Sequence, residues 1–267
     1  MQTGVSTASL FLRKYNEDAI ALFHTLGIKT AELFLTTYSE YGEDFARKIN
    51  SIKKDMDIRS LHILNTQFEP QLFAKQQRVK DDAFGWLHTV LKGAKALDVP
   101  NYTFHGTARV KSASRSGNLD DFPSIIKAFQ EITAVCQNYG VTLCLENVEW
   151  ATYNRPGVFE KVSKEVPSLR GVLDIKQARI SGYGYEEYLN EMGEKLTTVH
   201  LSDIDEQGKM CLPGKGCFNF TTLIKRLKDV GFDGALLIEV YANDYAEEKE
   251  LLYSCQYLEE LIYKLNA

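Results

Sequence analysis

A single (β/α)₈ barrel spanning residues 1–267 is the fold this sequence predicts, and three observations carry that expectation. Short β-branched or apolar runs alternate with longer amphipathic stretches eight times from end to end. The same glycine joint recurs where helix gives way to strand. No linker, low-complexity tract or charge block marks a second domain, and 267 residues suit one closed barrel.

The strands are expected at 3–6, 30–34, 58–64, 102–105, 142–146, 171–174, 197–200 and 235–240. Between them the periodicity predicts helices at 17–26, 41–54, 77–97, 122–139, 158–166, 186–192, 220–230 and 247–265. In the seventh of these, Phe220, Leu223, Ile224 and Leu227 share one face. Gly27, Gly140 and Gly231 each close a helix shortly before a strand, where a left-handed cap is wanted. Asp98-Val99-Pro100 does similar work before the fourth strand. Alternating βα units imply a parallel sheet, and eight of them favour closure. No Gly-rich dinucleotide fingerprint follows the first strand, which counts against an open Rossmann sheet.

Composition narrows the function classes. Hydrophobic residues make up 44% and charged residues 25%, ordinary for a globular protein with a sizeable core. With 36 acidic against 31 basic residues the net charge is −5, which offers no general attraction to nucleic acid or an anionic membrane. No leader-like segment opens the chain and no apolar run spans a bilayer, so a cytoplasmic location is expected. Five cysteines without CxxC spacing read as free thiols in a reducing compartment.

Barrel chemistry gathers where strands end, because the βα loops open on that one face. The last four strands end on Glu146, Asp174, His200 and Glu239, which lie 28, 26 and 39 residues apart, one βα unit each. Two residues below each, on the same side of its strand, lie Cys144, Val172, Thr198 and Leu237, small or apolar as a packed interior requires. Three carboxylates and an imidazole at neighbouring strand tips would repel one another and pay heavy desolvation without a cation. The competing reading, a Lys or Arg partner for each acid, suits one strand end better than four in succession. Three oxygens and one nitrogen suit one divalent ion, Mn²⁺ first, with Mg²⁺, Co²⁺ or Zn²⁺ as alternatives.

The ordered segments Leu145-Glu146-Asn147, Leu173-Asp174-Ile175-Lys176-Gln177-Ala178 and Val199-His200-Leu201-Ser202-Asp203 resemble the xylose-isomerase-like barrel superfamily, in particular its sugar phosphate isomerase/epimerase branch. Pro213-Gly214-Lys215-Gly216 followed by Asn219-Phe220, and Ile238-Glu239-Val240, complete the series. His62, His105 and Glu32 fall where that family places residues on its third, fourth and second strands, whereas His24 and His88 sit within helices and read as surface or packing residues. The resemblance implies proton transfer beside a carbonyl of a sugar or sugar phosphate through an enediolate. Glu146 and Glu239 would be the acid–base pair, and no nucleic acid or membrane partner is implied; a homo-oligomer is left open.

Two positions depart from the family pattern. Gln177 stands where a histidine is frequent, and Glu206 where the ketohexose epimerases carry an arginine, which puts simple ketohexose epimerisation in question. Lys176, Lys215 and Arg109 are candidates to meet an anionic group on the substrate. Trp150 and Tyr153, in the loop after Glu146, either stack on a sugar face or pack the loop. Three other readings remain. An inosose or keto-sugar dehydratase, or a hydroxypyruvate-type isomerase, would use the same metal. An apurinic endonuclease of the endonuclease IV type needs histidines that Gln177 and the 203–219 loop lack. A barrel that only binds a sugar would gain nothing from burying three carboxylates.

Overall fold

The computed structural model describes residues 1–64, 67–107 and 122–266. Its eight long strands are β1 (Gln2–Ser6), β2 (Thr30–Leu35), β3 (Asp57–Ile63), β4 (Asn101–Phe104), β5 (Thr142–Glu146), β6 (Arg170–Asp174), β7 (Leu196–Leu201) and β10 (Ala235–Ile238). They close into a parallel barrel in the order β1-β10-β7-β6-β5-β4-β3-β2, with β2 pairing back to β1. The helices are α1 (Asn16–Leu26), α2 (Glu43–Lys53), α3 (Gln77–Ala96), α4 (Phe122–Asn138), α5 (Val158–Glu165), α6 (Ile175–Ile180), α7 (Tyr185–Met192), α8 (Phe220–Asp229) and α9 (Lys249–Asn266). The (β/α)₈ expectation holds. Two additions escaped it: the single turn-and-a-half of α6 directly after β6, and a hairpin of β8 (Asp203–Ile204) with β9 (Met210–Cys211).

The glycine joints do what their chemistry predicts. Gly27, Gly140 and Gly231 all adopt positive φ, of 83°, 75° and 73°. In each case the next residue's N–H closes a bond to the carbonyl five positions back: Ile28 to Phe23, Val141 to Cys136 and Phe232 to Leu227. Asp98 completes the set without being glycine. Its φ is 55°, and Val99 N–H reaches Ala94 O at 2.9 Å. Each helix then lays an apolar stripe on the barrel. On α8 the buried face is Phe220, Leu223, Ile224 and Leu227, each contributing about 1.5–3 kcal/mol of burial.

The inside of the barrel is not uniform. Beneath the β5–β10 half the expected small or apolar residues Cys144, Val172, Thr198 and Leu237 are buried. The other half is polar, with Ser6, Glu32, Ser60 and Thr103 all buried as well. Close strand packing is required where β1 meets β2: a Cβ built on Gly4 would lie 2.2 Å from the Thr30 carbonyl oxygen. Gly4→Ala should therefore cost about 3 kcal/mol or more, because backbone must move. Gly140→Ala, where only the backbone conformation is strained, should cost about 1–2 kcal/mol. Urea unfolding of both variants checks that order.

Candidate active site and metal centre

The parallel register brings the strand tips together. Asp174 pairs with His200, His200 with Leu237, and Glu146 with Val172 two residues below Asp174, so the tips of β5, β6, β7 and β10 meet at the barrel mouth. Glu239 lies one residue beyond β10, and its N–H still bonds Leu201 O at 2.9 Å. One ligand-type atom from each of Glu146, Asp174, His200 and Glu239 lies within 4.8 Å of all the others. Two overlapping sets, Glu32–His62–His200–Glu239 and His62–His105–Glu146, meet the same criterion.

Hydrogen bonding separates these sets. Glu32 is saturated: Ser6 donates to Oε1 at 3.0 Å, Ser60 and Thr103 donate to Oε2 at 2.6 and 2.8 Å, and His62 Nδ1 lies 3.2 Å from Oε1. Asp174 Oδ2 and Glu239 Oε2 are buried with no hydrogen-bond partner. Buried anionic oxygens without a hydrogen-bond donor are costly, which makes Glu146, Asp174, His200 and Glu239 the candidate cation site among the three sets. The donor set of three carboxylates and one imidazole fits a divalent ion.

The surroundings aim each ligand. Asp174 caps α6, its Oδ1 accepting Gln177 N–H at 2.9 Å, which leaves Oδ2 facing the cluster. Asn147 clamps the same position, donating from Nδ2 to Asp174 O and accepting Asp174 N–H on Oδ1. His200 turns Nδ1 toward Glu146 Oε1 at 2.8 Å and Glu239 Oε2 at 3.3 Å, while Nε2 lies 3.1 Å from Glu32 Oε1. A proton on Nε2 shared with Glu32 leaves the Nδ1 lone pair for a metal, the usual support for a ligating imidazole.

The charges are strongly perturbed. Burial would raise the Glu32 carboxyl, yet His200 and His62 hold it well below the ordinary range. Burial likewise opposes charge on His200, but Glu239, Glu32 and Glu146 raise it well above a normal imidazole. Asp174 goes the other way: burial, with Glu146 and Glu239 nearby, pushes its carboxyl up to about 6 despite Lys176. At Asp174 burial and the two neighbouring carboxylates thus outweigh the nearby ammonium.

The remaining candidates divide. His62 and His105 line the site; their Nε2 atoms are 2.9 Å apart, and His105 Nε2 is 3.3 Å from Glu146 Oε2. Trp150 is 38% exposed and packs its ring 5.0 Å from that of His105, at the rim. Tyr153 is a packing residue, fully buried with its hydroxyl donating to Glu191 at 2.7 Å. Gln177 Oε1 accepts Glu149 N–H at 3.3 Å, tying the loop after β5 to α6. Lys176 is buried beside Asp174, whereas Lys215 is exposed and its charge faces Glu250. Arg109 lies outside the described residues. His24 is exposed and His88 Nδ1 meets Tyr139 Oη at 3.0 Å, both away from the mouth as expected.

Two acids have a larger part than their sequence context suggested. Glu32 underpins His200, and Glu69 holds His105, its Oε2 lying 3.1 Å from Nδ1. Asp203 organises the following loop by accepting N–H groups of Ile204, Gly214, Gly216 and Phe218. A Cβ on Gly216 would fall 2.3 Å from Ile204 O, which explains glycine in that loop.

A closed barrel with acids and imidazoles gathered at its C-terminal mouth has its ligand-type side chains on the face where (β/α)₈ barrels carry their active sites. Comparison with known proteins makes it specific: the chain belongs to the xylose isomerase-like TIM barrel family, whose profile matches residues 20–261. An uncharacterised protein of Methanocaldococcus jannaschii is 30% identical over 141 residues, 48% of this chain and 46% of that one. The inosose dehydratase of Clostridium perfringens is 20% identical over 234 residues, 75% of this chain and 76% of the enzyme. Among solved structures, the D-psicose 3-epimerase of Clostridium cellulolyticum, with D-tagatose, superposes with a TM-score of 0.79 at 17% identity over 99% of both chains. The IOLI protein with a bound zinc atom gives 0.77 at 15% identity over 99% of both chains. At such identities these structures speak to the fold.

Glu32→Gln keeps the shape but weakens the acceptor behind His200, and should lower divalent-metal affinity about 10–100-fold. Competitive chelator titration measures it, with circular dichroism confirming that the barrel persists.

Proposed function

We propose that this protein is a divalent-metal-dependent isomerase or epimerase of a sugar or sugar phosphate, moving a proton on the carbon beside a carbonyl with Glu146 and Glu239 as the acid–base pair. The observation that carries the reading is the pair of buried oxygens without a hydrogen bond, Asp174 Oδ2 and Glu239 Oε2, inside a cluster of three carboxylates and His200. A bound divalent ion, Mn²⁺ by preference and Zn²⁺ as in the IOLI structure as an alternative, supplies Lewis acidity to a carbonyl and its neighbouring hydroxyl.

The protein's own groups do the rest. In the barrel order β10-β7-β6-β5, Glu239 and Glu146 stand on either side of Asp174 and His200. On this reading they act on opposite sides of the same carbon, one removing a proton from one face and the other returning it to the other. His105 lies beside Glu146 Oε2 and fixes its direction. His62 and Trp150 wall the site, and Trp150 offers an exposed ring edge to a sugar.

A dehydratase acting on an inosose or keto-sugar is the second reading. It is favoured by the alignment with the inosose dehydratase over three-quarters of the chain, and it shares the first proton abstraction. The two part at the next step, where dehydration expels a hydroxyl and epimerisation returns the proton.

The test is metal analysis of the purified protein followed by solvent-deuterium incorporation into ketoses, ketose phosphates and inososes. Stoichiometric divalent metal is expected, with deuterium entering the carbon beside the carbonyl. Glu146→Gln and Glu239→Gln should each slow exchange about 10²–10⁴-fold. A protein that takes up no metal under Mn²⁺ supplementation, or exchange undiminished in both variants, would sink the assignment.

A further inference from the structure

We infer that Glu69 is a positioning residue for proton transfer: acting through His105, it fixes Glu146 Oε2 as the oxygen that handles the proton and leaves Oε1 to the metal cluster. The inference rests on the proton-transfer reading above and divides that work between the two oxygens of one carboxylate.

Glu146 has two different sides. Its Oε1 lies 2.8 Å from His200 Nδ1, the nitrogen turned toward the metal cluster. Its Oε2 lies 3.3 Å from His105 Nε2 and 3.7 Å from His62 Nε2. A carboxylate that binds a cation and also moves a proton does so best with one oxygen for each task, because a neighbouring cation makes the oxygen bonded to it a poor proton acceptor. Glu146 is buried, so its direction is set by these neighbours.

The histidine is itself held. Glu69 is fully buried at the start of the short 3₁₀ turn Glu69–Phe73 that follows β3. Phe73 of that turn packs on Phe104 of β4, ring centroids 6.2 Å apart, which registers the turn against the strand ending just before His105. Glu69 Oε2 accepts the His105 backbone N–H at 3.2 Å and lies 3.1 Å from Nδ1 of the ring, while Oε1 accepts the Tyr102 hydroxyl at 2.7 Å. An ionised carboxylate accepts and cannot donate, so the proton of the ring bond belongs to Nδ1 and Nε2 is the nitrogen presented to Glu146. Turning the ring over would set C–H against Glu69 and lose that bond.

Anchoring the turn does not account for the arrangement. Tyr102 and the backbone N–H already fasten Glu69 to β4 and its end. The bond to Nδ1 adds a choice of which nitrogen faces the site. Glu32 backs His200, a member of the four-ligand set, and so bears on the metal. Glu69 backs a histidine outside that set and so bears on the carboxylate that moves the proton. Two buried acids thus support two separable properties of the site.

The test uses the full-length protein, loaded with Zn²⁺ for spectroscopy and metal binding and with Mn²⁺ for kinetics. Ring nitrogen NMR, with His105 identified by its loss in His105→Phe, should find a proton on Nδ1 in the wild type. Glu69→Met removes the acceptor, and deuterium exchange into the best wild-type substrate among the ketoses, ketose phosphates and inososes should lose at least about tenfold in kcat. Zn²⁺ affinity by competitive chelator titration should stay within about twofold, in contrast to Glu32→Gln. Glu69→Gln keeps an acceptor for Nδ1 and should bring kcat back to within about threefold of wild type. In a His105→Phe background Glu69→Met should cost nothing further. An unprotonated Nδ1 in the wild type would overturn the inference even if Glu69→Met failed to fold. An unchanged kcat, a matching loss of Zn²⁺ affinity, a Glu69→Gln variant as slow as Glu69→Met, or an equal loss without His105 would overturn it too, each leaving the metal-dependent reaction standing. Absence of exchange with every substrate would remove the proton-transfer reading and this inference with it.

Discussion

Three carboxylates and an imidazole are confined at the mouth of a closed barrel with their ligand atoms within 4.8 Å of one another, and much of the local structure answers that confinement. Like charges at that spacing in a buried site oppose folding unless something compensates. The compensation is layered. Lys176 stands beside Asp174, His62 and His105 stand beside Glu146, and His200 stands among all three acids. Even so, two oxygens remain without donors, and the Asp174 carboxyl is driven up toward neutrality. The protein keeps a costly arrangement, which makes sense where a cation completes it.

Beneath the cluster, Glu32 turns the same problem into positional control. It gathers hydroxyls from β1, β3 and β4 and a ring nitrogen from β7, so residues from four other strands converge on one side chain. That network fixes which nitrogen of His200 faces the cluster. It also explains why half of the barrel interior is polar: the serines and threonine there exist to hold a buried anion, and filling the space with aliphatic groups would leave Glu32 unpaired.

Much of this was legible in the sequence. Strand ends could be read because period-two runs stop on Glu146, Asp174 and His200, and alternation placed their lower neighbours inside. The helix–strand joints could be read because glycine declares a positive φ, and Asp98 followed from its Val-Pro sequel. Glu32 was harder. It sits in the middle of its strand, and its partners are scattered from Ser6 to His200, so no local pattern announces them. Glu69 lies in a connection whose path sequence does not dictate. Lys176 and Gln177 looked like loop residues, but α6 draws them in, burying the first and tying the second to Glu149 N–H. Lys215 illustrates the opposite case, a motif residue whose backbone serves the Asp203 loop while its charge stays outside.

The claim that joins these observations is a single divalent ion held by Glu146, Asp174, His200 and Glu239. The most direct measurement is anomalous diffraction from crystals of the Mn²⁺-loaded protein. The account predicts one peak, bonded to Asp174 Oδ2, Glu239 Oε2, a Glu146 oxygen and His200 Nδ1, with Glu32 still joined to His200 Nε2. A peak bonded to Glu32 and His62 instead, or no peak at the mouth of a folded barrel, would contradict it.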